Sequence, residues 1–521
     1  MTATSESLVI GSSGFVTAPY GDYWKFMKKL LATKLLRPQA IEQSRGVRAE
    51  ELERFYFNIL NKAKKKESIE IVKEGMKFTN NMICRMSMGR SCSEENGEAE
   101  RVMELVIKSV ALTTKIVVAY IFRKPLEKLG ISLFKEEIMG VSREFDELLE
   151  RILVEHEEKQ EENQDRDMMN LLLEAYRDEK AEYKITRNHI KSLFVEIFSA
   201  GTDSSATTTQ WTMAEIVNNP NVLERLREEI DSVVGKTRLI KETDLPNLPF
   251  LQAVVKEGLR LHPPGPLLIR TFQKSCEIKG FYIPEKTSLV VNVYAVMRDP
   301  NYWEDPDEFK PERFLASSRS EGEDEIREQA LKYLPFGSGR RGCPGSNLAY
   351  IFLGTAIGML VQCFDWRIKG EKVNMEDTFE GVTLTMAHPL KCIPILENGK
   401  TVAQCKAPFD DLPKSVITMH VVVQPSPTKA RPEKKNRRGR STTEKLLLMY
   451  HNLLHVRSGS ENNLQIQSSF FKNKRDQVWS EEEEAPPPWI LLATYLVIDP
   501  RLIQSCLSLN GLISACMDSM L

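Results

Sequence analysis

The pattern of apolar and polar positions is mainly helical over the first half of the chain. Residues 45–66, 135–160 and 167–178 carry apolar side chains at i, i+3 and i+4 spacing, with charged side chains between them. This spacing places the apolar side chains on one face, and it therefore predicts amphipathic helices that pack against a common core.

The longest helical run holds a weak point in its middle. The run covers residues 186–219, with Thr186 as a suitable N-cap and Pro220 as a stop. A helix of roughly 30 residues extends about 45 Å, which is enough to cross a domain. Its central residues 200–205 read AGTDSS, a poor helix-forming run where burial is expected. This weak point calls for a reason other than packing.

After residue 261 the pattern changes to short β-rich pieces separated by prolines. Pieces such as EIKGFYIP and TSLVVNVYAVM predict short strands. A glycine-rich loop follows at 336–345, then an apolar helix at 346–363, and further short strands reach about residue 396. The predicted fold class is mainly α with small β-sheets, in one domain of residues 1–398.

Residues 399–521 differ in composition from the rest of the chain. A basic block, KARPEKKNRRGR, occupies 429–440, and an acidic, proline-rich block, SEEEEAPPP, occupies 480–488. Opposite charge blocks with few apolar neighbours predict an atypical, disordered tail. The basic block is either a nuclear or anionic-surface signal or a solvated run, and we favour the solvated run.

Composition and charge exclude several classes of protein. The 521 residues include 71 Lys and Arg against 73 Asp and Glu, a formal net charge of −2. This balance argues against a dedicated nucleic-acid binder, and the length removes the need for a disulfide scaffold. The nine cysteines form no CxxC pair, which excludes zinc ribbons and thioredoxin-type pairs. An odd number of scattered cysteines is typical of reduced thiols facing the cytosol.

The loop 336–345, FGSGRRGCPG, carries the most informative chemistry. Its glycines allow positive φ angles and close approach to a flat group, and its two arginines need anions to meet them. Backbone N–H groups and the start of the next helix stabilise a thiolate at Cys343. A thiolate beside cations suits a metal cofactor that bears acidic groups, and haem with two propionates fits. The alternative for Cys343 is a buried structural thiol.

This loop resembles the haem-ligand loop of the cytochrome P450 family, FxxGxRxCxG. Every specified position matches, and the resemblance implies a P450 fold in which haem b lies between the long central helix and this loop. Cys343 would be the axial iron ligand, and Phe336 and Arg341 would contact the cofactor. The matching residues are Phe336, Gly339, Arg341, Cys343 and Gly345.

Two further family motifs imply a structural network. The ExxR motif is met by Glu257 and Arg260, which share one helix face, and the PERF motif supplies Arg313. The resemblance implies that these three residues hold the core on the haem side and take no part in catalysis.

The AGTDSS run resembles the oxygen-binding motif of the family. The resemblance implies that a local opening of the helix gives oxygen a place to bind, that Asp203 relays protons and that Ser204 hydrogen-bonds to oxygen. The alternative for both residues is that they cap a helix kink. The family usually has Thr where this chain has Ser204. The hydroxyl survives but the methyl group is lost, so we expect some uncoupling of electron flow from product formation.

Three other residues are implied as propionate partners. Trp24 opens the helix beside the haem, and Lys28 stands where many members carry Arg, so a bidentate contact becomes a point charge. A solvated surface lysine is the alternative for Lys28. Arg270 follows the LHPP run and would bind a propionate. His262 in that run is interpreted as loop packing.

The residues in the LHPP, KPERF and AGTD motifs are similar to those of plant A-type microsomal P450s, and within these to a crucifer branch associated with triterpenoid oxidation. The resemblance covers about residues 14–396. It implies a monooxygenase that inserts one atom of O2 into a lipophilic small molecule, with electrons from NADPH–cytochrome P450 reductase. It also implies attachment to the cytosolic face of the endoplasmic reticulum membrane.

The two ends of the chain depart from the family pattern. The chain begins shortly before the Trp24 helix, so we expect about a hundred family residues, including the membrane anchor, to be absent. As written, it could then be cytosolic. A truncated haem-binding or apo remnant, acting if at all as an interaction protein, is therefore the alternative to a monooxygenase. An isomerase using preformed peroxides is disfavoured by the intact AGTDSS motif.

Overall fold

The computed structural model describes residues 14–89, 97–121, 133–158, 167–278, 280–315 and 331–396. All of these lie in one compact unit of the chain. The predicted tail, residues 399–521, lies outside the described residues. Twelve α-helices are described: α1 (Asp22–Leu30), α2 (Pro38–Gln43), α3 (Arg45–Lys65), α4 (Ile71–Met88), α5 (Glu98–Ile121), α6 (Lys135–Glu158), α7 (Met168–Arg177), α8 (Arg187–Asn218), α9 (Pro220–Val233), α10 (Pro249–Leu261), α11 (Val293–Val296) and α12 (Ser346–Cys363).

Nine short strands form four small antiparallel sheets within these ranges. One sheet has the order β1-β9-β6, and the others pair β2 with β5, β3 with β4, and β7 with β8. Ile69 and Ile368 both lie opposite Cys392, so β9 is the centre of the largest sheet. The strands are β1 (Ile69–Glu70), β2 (Leu267–Thr271), β3 (Cys276–Ile278), β4 (Phe281–Ile283), β5 (Ser288–Asn292), β6 (Phe364–Ile368), β7 (Asp377–Glu380), β8 (Thr383–Met386) and β9 (Lys391–Leu396).

Helix α8 confirms the predicted long helix and its boundaries. Its N-cap is Thr186, whose hydroxyl accepts the N–H of His189 while the imidazole accepts the N–H of Thr186, a reciprocal cap. The helix continues to Asn218, and Pro220 is the first residue of α9. The 32 residues of α8 therefore form one element through the middle of the fold.

The expected opening at AGTDSS is not a break in the helix, since α8 is helical throughout 200–205. Gly201 allows α8 to pack closely against α4, because a Cβ at this position would lie 2.6 Å from Cδ1 of Ile83. Gly75 on α4 faces α8 in the same way: a Cβ on it would lie 3.3 Å from the Cα of Ala206. Small residues let the two helices pack closely, and this contact outweighs the low helix propensity of the run.

Helix α12 is the apolar helix predicted after the glycine-rich loop. By length and composition it is the one described helix that could cross a membrane, but 67% of that stretch is buried inside the fold. Its last 12 residues, 352–363, are all buried. This burial identifies α12 as a core helix, packed against α8, α9 and α10.

The predicted β-rich piece TSLVVNVYAVM is a strand only in its first part. Its first part forms β5, while the following residues form the short helix α11. The side chain of Asn292 accepts the N–H of Ala295 at 3.0 Å and thereby caps that helix. The local hydrogen bond turns the chain away from the strand direction immediately after β5.

Candidate active site around Cys343

The loop before α12 is held in shape by its own backbone. Gly337 and Gly339 have φ angles of 69° and 68°, a left-handed conformation that favours glycine. The N–H of Cys343 donates to the carbonyl of Phe336 at 2.9 Å and closes the loop. These contacts place Cys343 just before the first residue of α12, where the helix dipole favours negative charge.

The Cys343 side chain remains accessible within this loop, and the residue is exposed. Protein packed on the other sides of the sulfur raises the pKa of the thiol by desolvation, while a hydrogen bond from the Gly345 N–H and the charge of Lys28 lower it. Desolvation is the largest of these effects, so the protein alone favours the thiol. A metal ion must therefore displace the proton when it binds here.

Three cations lie on or beside the cysteine loop, and within the described ranges none of them has a carboxylate partner. Lys28 donates from Nζ to the carbonyl of Gly342 at 2.9 Å, and the Arg270 guanidinium lies beside Gly337. Burial and the charge of Arg270 lower the pKa of Arg341. Among the described residues, none of Lys28, Arg270 and Arg341 forms an ion pair with a carboxylate. An accessible thiol beside unneutralised cations fits a metal group that carries acidic substituents.

Arg341 and Trp24 contact each other. The Arg341 guanidinium lies 4.5 Å from the centroid of the buried Trp24 ring, and it donates to the carbonyls of Val16 at 3.3 Å and Ala18 at 2.6 Å. Trp24 also stacks on Phe15, with centroids 5.9 Å apart. Trp24, Lys28 and Arg270 thus each contact or lie beside a residue of the cysteine loop, to which Arg341 itself belongs.

Phe336 contributes to the loop in two ways that are visible in the structure. Its carbonyl accepts the Cys343 N–H, and its ring meets Tyr350 of α12 edge-on with centroids 5.2 Å apart. Phe336 therefore anchors the loop to α12 through an aromatic contact.

Asp203 and Ser204 lie next to each other on α8 but have different partners. The Ser204 hydroxyl donates to the carbonyl of Ala200 at 2.6 Å. The Asp203 carboxylate accepts from the Thr383 hydroxyl of β8 at 2.9 Å. Burial raises the pKa of Asp203, the Thr383 hydrogen bond lowers it, and the charge of Glu380 raises it. A buried acid with a raised pKa beside a hydroxyl suits proton transfer.

The Thr383 contact gives a test of the Asp203 environment. Because the hydroxyl stabilises the carboxylate, Thr383→Val is expected to raise the pKa of Asp203 further. The pH dependence of peroxide release per NADPH should then move to higher pH. Thr383→Ser is the matched control, since it keeps the donor. Identical pH profiles for the Val and Ser variants would contradict this assignment.

Glu257, Arg260 and Arg313 form one buried network. Arg260 binds Glu257 through Nε at 2.7 Å and through a terminal nitrogen at 2.9 Å, and both residues are 0% exposed. Arg313 donates to the same carboxylate at 3.0 Å. Arg260 also donates to the carbonyls of Met297 and Pro306. The network fixes α10 to the loop segments that follow β5.

Two further residues acquire partners that the sequence did not indicate. His262 stacks on Trp211 with centroids 4.0 Å apart and contacts Glu215 at 2.7 Å, which agrees with its interpretation as packing. Glu196 on α8 accepts two backbone N–H groups near residue 15. The only sequence signal for Glu196 is a lone carboxylate within the apolar run 192–199.

A protein-only metal site is not present in the described ranges, which contain no cluster of three or more His, Cys, Asp or Glu side chains able to hold an ion. A single cysteine ligand instead fits a metal whose other ligands come from a cofactor. The cytochrome P450 family model matches residues 3–393. The chain belongs to the cytochrome P450 family. A second model, ubiquitin-2 like Rad60 SUMO-like, matches residues 386–446; this range overlaps the end of the P450 match and continues into the predicted tail, for which the sequence indicated no family.

Plant proteins in the family are closely similar to this chain. Cytochrome P450 705A22 of Arabidopsis thaliana is 68% identical over 395 residues, which are 76% of this chain and 77% of that protein. Cytochrome P450 705A5 of the same plant is 68% identical over 397 residues, with the same coverage. The 3,9-dihydroxypterocarpan 6A-monooxygenase of Glycine max is 41% identical over 392 residues, 73% of this chain and 76% of that protein. The prediction of a plant P450 is confirmed.

Solved structures support the fold. A zebra fish cytochrome P450 structure with progesterone has a TM-score of 0.65 at 24% identity, and covers 76% of this chain and 87% of its own. Another, with abiraterone, has a TM-score of 0.61 at 26% identity and the same coverage. The predicted P450 fold, the haem b cofactor and the class of oxygen-incorporating oxidoreductase are therefore confirmed.

Proposed function

We propose that this P450 inserts one atom of O2 into a lipophilic plant metabolite, with a triterpenoid as the favoured substrate class. The observation that carries the proposal is the accessible Cys343 thiol in a loop with three cations on or beside it, none of which has a carboxylate partner among the residues described by the structure. Bound haem supplies the oxygen chemistry through its iron. Similarity to plant monooxygenases supports a secondary metabolite as substrate.

The proposed roles of the chain's own residues follow from their contacts. Cys343 would hold the iron, while Arg341, Lys28 and Arg270 would neutralise the acidic groups of haem, with Trp24 packed under Arg341. Asp203 would move protons and Ser204 would hydrogen-bond to oxygen, both on α8. Glu257, Arg260 and Arg313 would act through stability alone.

Electron supply and location are part of the same proposal. The one GxGxxG spacing in the chain, residues 337–342, belongs to the cysteine loop in which Cys343 would hold the iron, and we assign electron delivery to NADPH–cytochrome P450 reductase. The site of action would be the cytosolic face of the endoplasmic reticulum membrane. The P450 domain would end near residue 398, after β9, and residues 399–521 would lie outside it.

The test is expression of the full chain with a plant reductase in microsomes, followed by a carbon monoxide difference spectrum of the reduced protein. A thiolate-bound haem gives the long-wavelength band of the family, and a panel of triterpenoids would then be screened for spin-state shifts and NADPH-dependent products. The monooxygenase proposal would be overturned if the protein gave the long-wavelength carbon monoxide band but formed no oxidised product from lipophilic plant metabolites.

A second candidate is a non-catalytic haem-binding or apo protein that acts through its tail. Exposed apolar side chains favour it, because Ile269, Phe281 and Tyr282 are 65%, 67% and 70% exposed. The match of residues 386–446 to a ubiquitin-like model is in keeping with an interaction role. Absence of any haem signal from the full chain, or only the short-wavelength band of a displaced thiol, would favour this candidate.

The Ser204 hydroxyl gives a direct test of oxygen handling. Ser204→Thr keeps the bond to the Ala200 carbonyl and adds a methyl group that restricts the χ1 angle of the side chain. We expect less peroxide released per NADPH than in the parent protein. Ser204→Ala, which lacks the hydroxyl, is expected to release more. No decrease in the Thr variant would contradict the role of the missing methyl group.

A further inference from the structure

Glu196 binds the segment that precedes α1 through backbone contacts alone. Its Oε2 accepts the N–H of Phe15 at 3.1 Å, and its Oε1 accepts the N–H of Val16 at 3.0 Å. A carboxylate that accepts two backbone N–H groups forms charge-assisted hydrogen bonds, which are stronger than neutral ones. The first third of the long helix is therefore joined to a segment about 180 residues away in sequence.

The fit around this carboxylate is close. A Cβ on Gly14 would lie only 2.9 Å from Oε1 of Glu196, so a larger residue at position 14 must displace the carboxylate or the segment. Burial raises the pKa of Glu196 to about 7, although both backbone hydrogen bonds lower it. No described Lys or Arg forms an ion pair with Glu196, so its partners are the two amides.

The same segment, residues 14–18, also binds Arg341, through its carbonyl groups. The carbonyls of Val16 and Ala18 accept from the two terminal nitrogens of Arg341, while the N–H of Ala18 donates to the carbonyl of Phe15 and makes a turn. Glu196 thus binds the N–H groups of this segment, and the carbonyls of the same segment bind the Arg341 guanidinium. Two rigid elements, α8 and the cysteine loop, are connected by five residues of backbone.

We infer that Glu196 is a positioning residue for Arg341: by anchoring residues 14–18 it sets the carbonyls that orient this guanidinium toward the acidic groups of haem. The inference rests on the proposed role of Arg341 in cofactor binding. It assigns to α8 a second role, separate from that proposed for Asp203, because Glu196 acts through the backbone of residues 14–18.

The experiment measures haem dissociation into excess apomyoglobin and amide hydrogen exchange of the peptide that covers residues 15–20. Glu196→Gln keeps the size but removes the charge, and Gly14→Ala disturbs the same contact from the other side. We expect haem loss about tenfold faster in each, as for a lost charge-assisted hydrogen bond, and faster exchange in the peptide. Glu182→Gln is the control, since Glu182 forms an exposed pair with Lys29; it should match the parent.

A double-mutant cycle separates positioning from a merely structural role. Arg341→Gln alone should accelerate haem loss, and E196Q should add nothing in the R341Q background. Additive effects would overturn the inference, as would faster exchange in E196Q with unchanged haem loss. If R341Q leaves haem loss unchanged, Arg341 has no part in cofactor binding, and the inference falls together with that part of the proposed function. If R341Q accelerates haem loss and E196Q does not, only the inference is overturned.

Discussion

Cys343→Ser is expected to abolish the long-wavelength carbon monoxide band and reduce product formation below detection. Serine keeps nearly the same size and the loop's hydrogen bond from the position 343 N–H to the Phe336 carbonyl. It cannot supply a thiolate, whose electron donation to iron favours O–O cleavage. The variant should therefore remain folded while losing the ligand.

Cys276→Ser is the matched control for this substitution. Cys276 is half-buried on β3, in the hairpin formed by β3 and β4. Its substitution should leave the carbon monoxide band and the haem content unchanged. The assignment of Cys343 would be wrong if C343S kept the thiolate band, or if C276S lost it. The far-ultraviolet circular dichroism of both variants separates loss of the ligand from loss of the fold.

Glu257→Gln is expected to destabilise the folded protein by about 3–5 kcal/mol, the usual cost of removing one partner from a buried ion pair. The substitution preserves volume but leaves Arg260, which is 0% exposed, without its counter-charge. Arg313 loses the same partner. Two uncompensated charges in a dry environment make this the largest stability effect we expect from an isosteric change.

Glu312→Gln, next to Arg313 in the PERF motif, provides the comparison. Glu312 pairs with Arg225 at 2.7 Å, but its side chain is 55% exposed, so the cost should be only about 0–1 kcal/mol. Urea unfolding, followed by intrinsic fluorescence, measures the free energy of unfolding of both the E257Q and the E312Q variant. Arg313→Gln, which removes only the outer partner, should fall between them and remains measurable if E257Q does not fold. Equal midpoints for E257Q and E312Q would refute the network's role in stability.

Several of the longer helices could be predicted from sequence because their determinants are local. The predicted runs 45–66, 167–178 and 346–363 agree within one residue at each end with α3, α7 and α12. Capping groups and the period of apolar residues act over a few positions, and they specify where a helix begins and ends. The cysteine loop was recognisable for the same reason, since its glycines stand where the backbone requires positive φ.

Other features needed the tertiary structure. Residues 200–205 lack good helix formers, yet they remain helical because Gly201 and Gly75 allow α4 and α8 to pack closely. The last residues of TSLVVNVYAVM turn into α11 because Asn292 caps it. In both cases a specific contact outweighs the average tendency of the residues.

The sequence by itself determined the family, the cofactor and the identity of the motif residues, since each motif lies within about ten residues and carries its own spacing. Only the tertiary structure decided which groups meet: Asp203 with Thr383, Lys28 with the Gly342 carbonyl, and Glu196 with the segment that holds Arg341. These partners lie between about 180 and 314 residues apart. Contacts at such separation depend on how distant elements pack, and no local pattern of hydrophobicity or propensity encodes them.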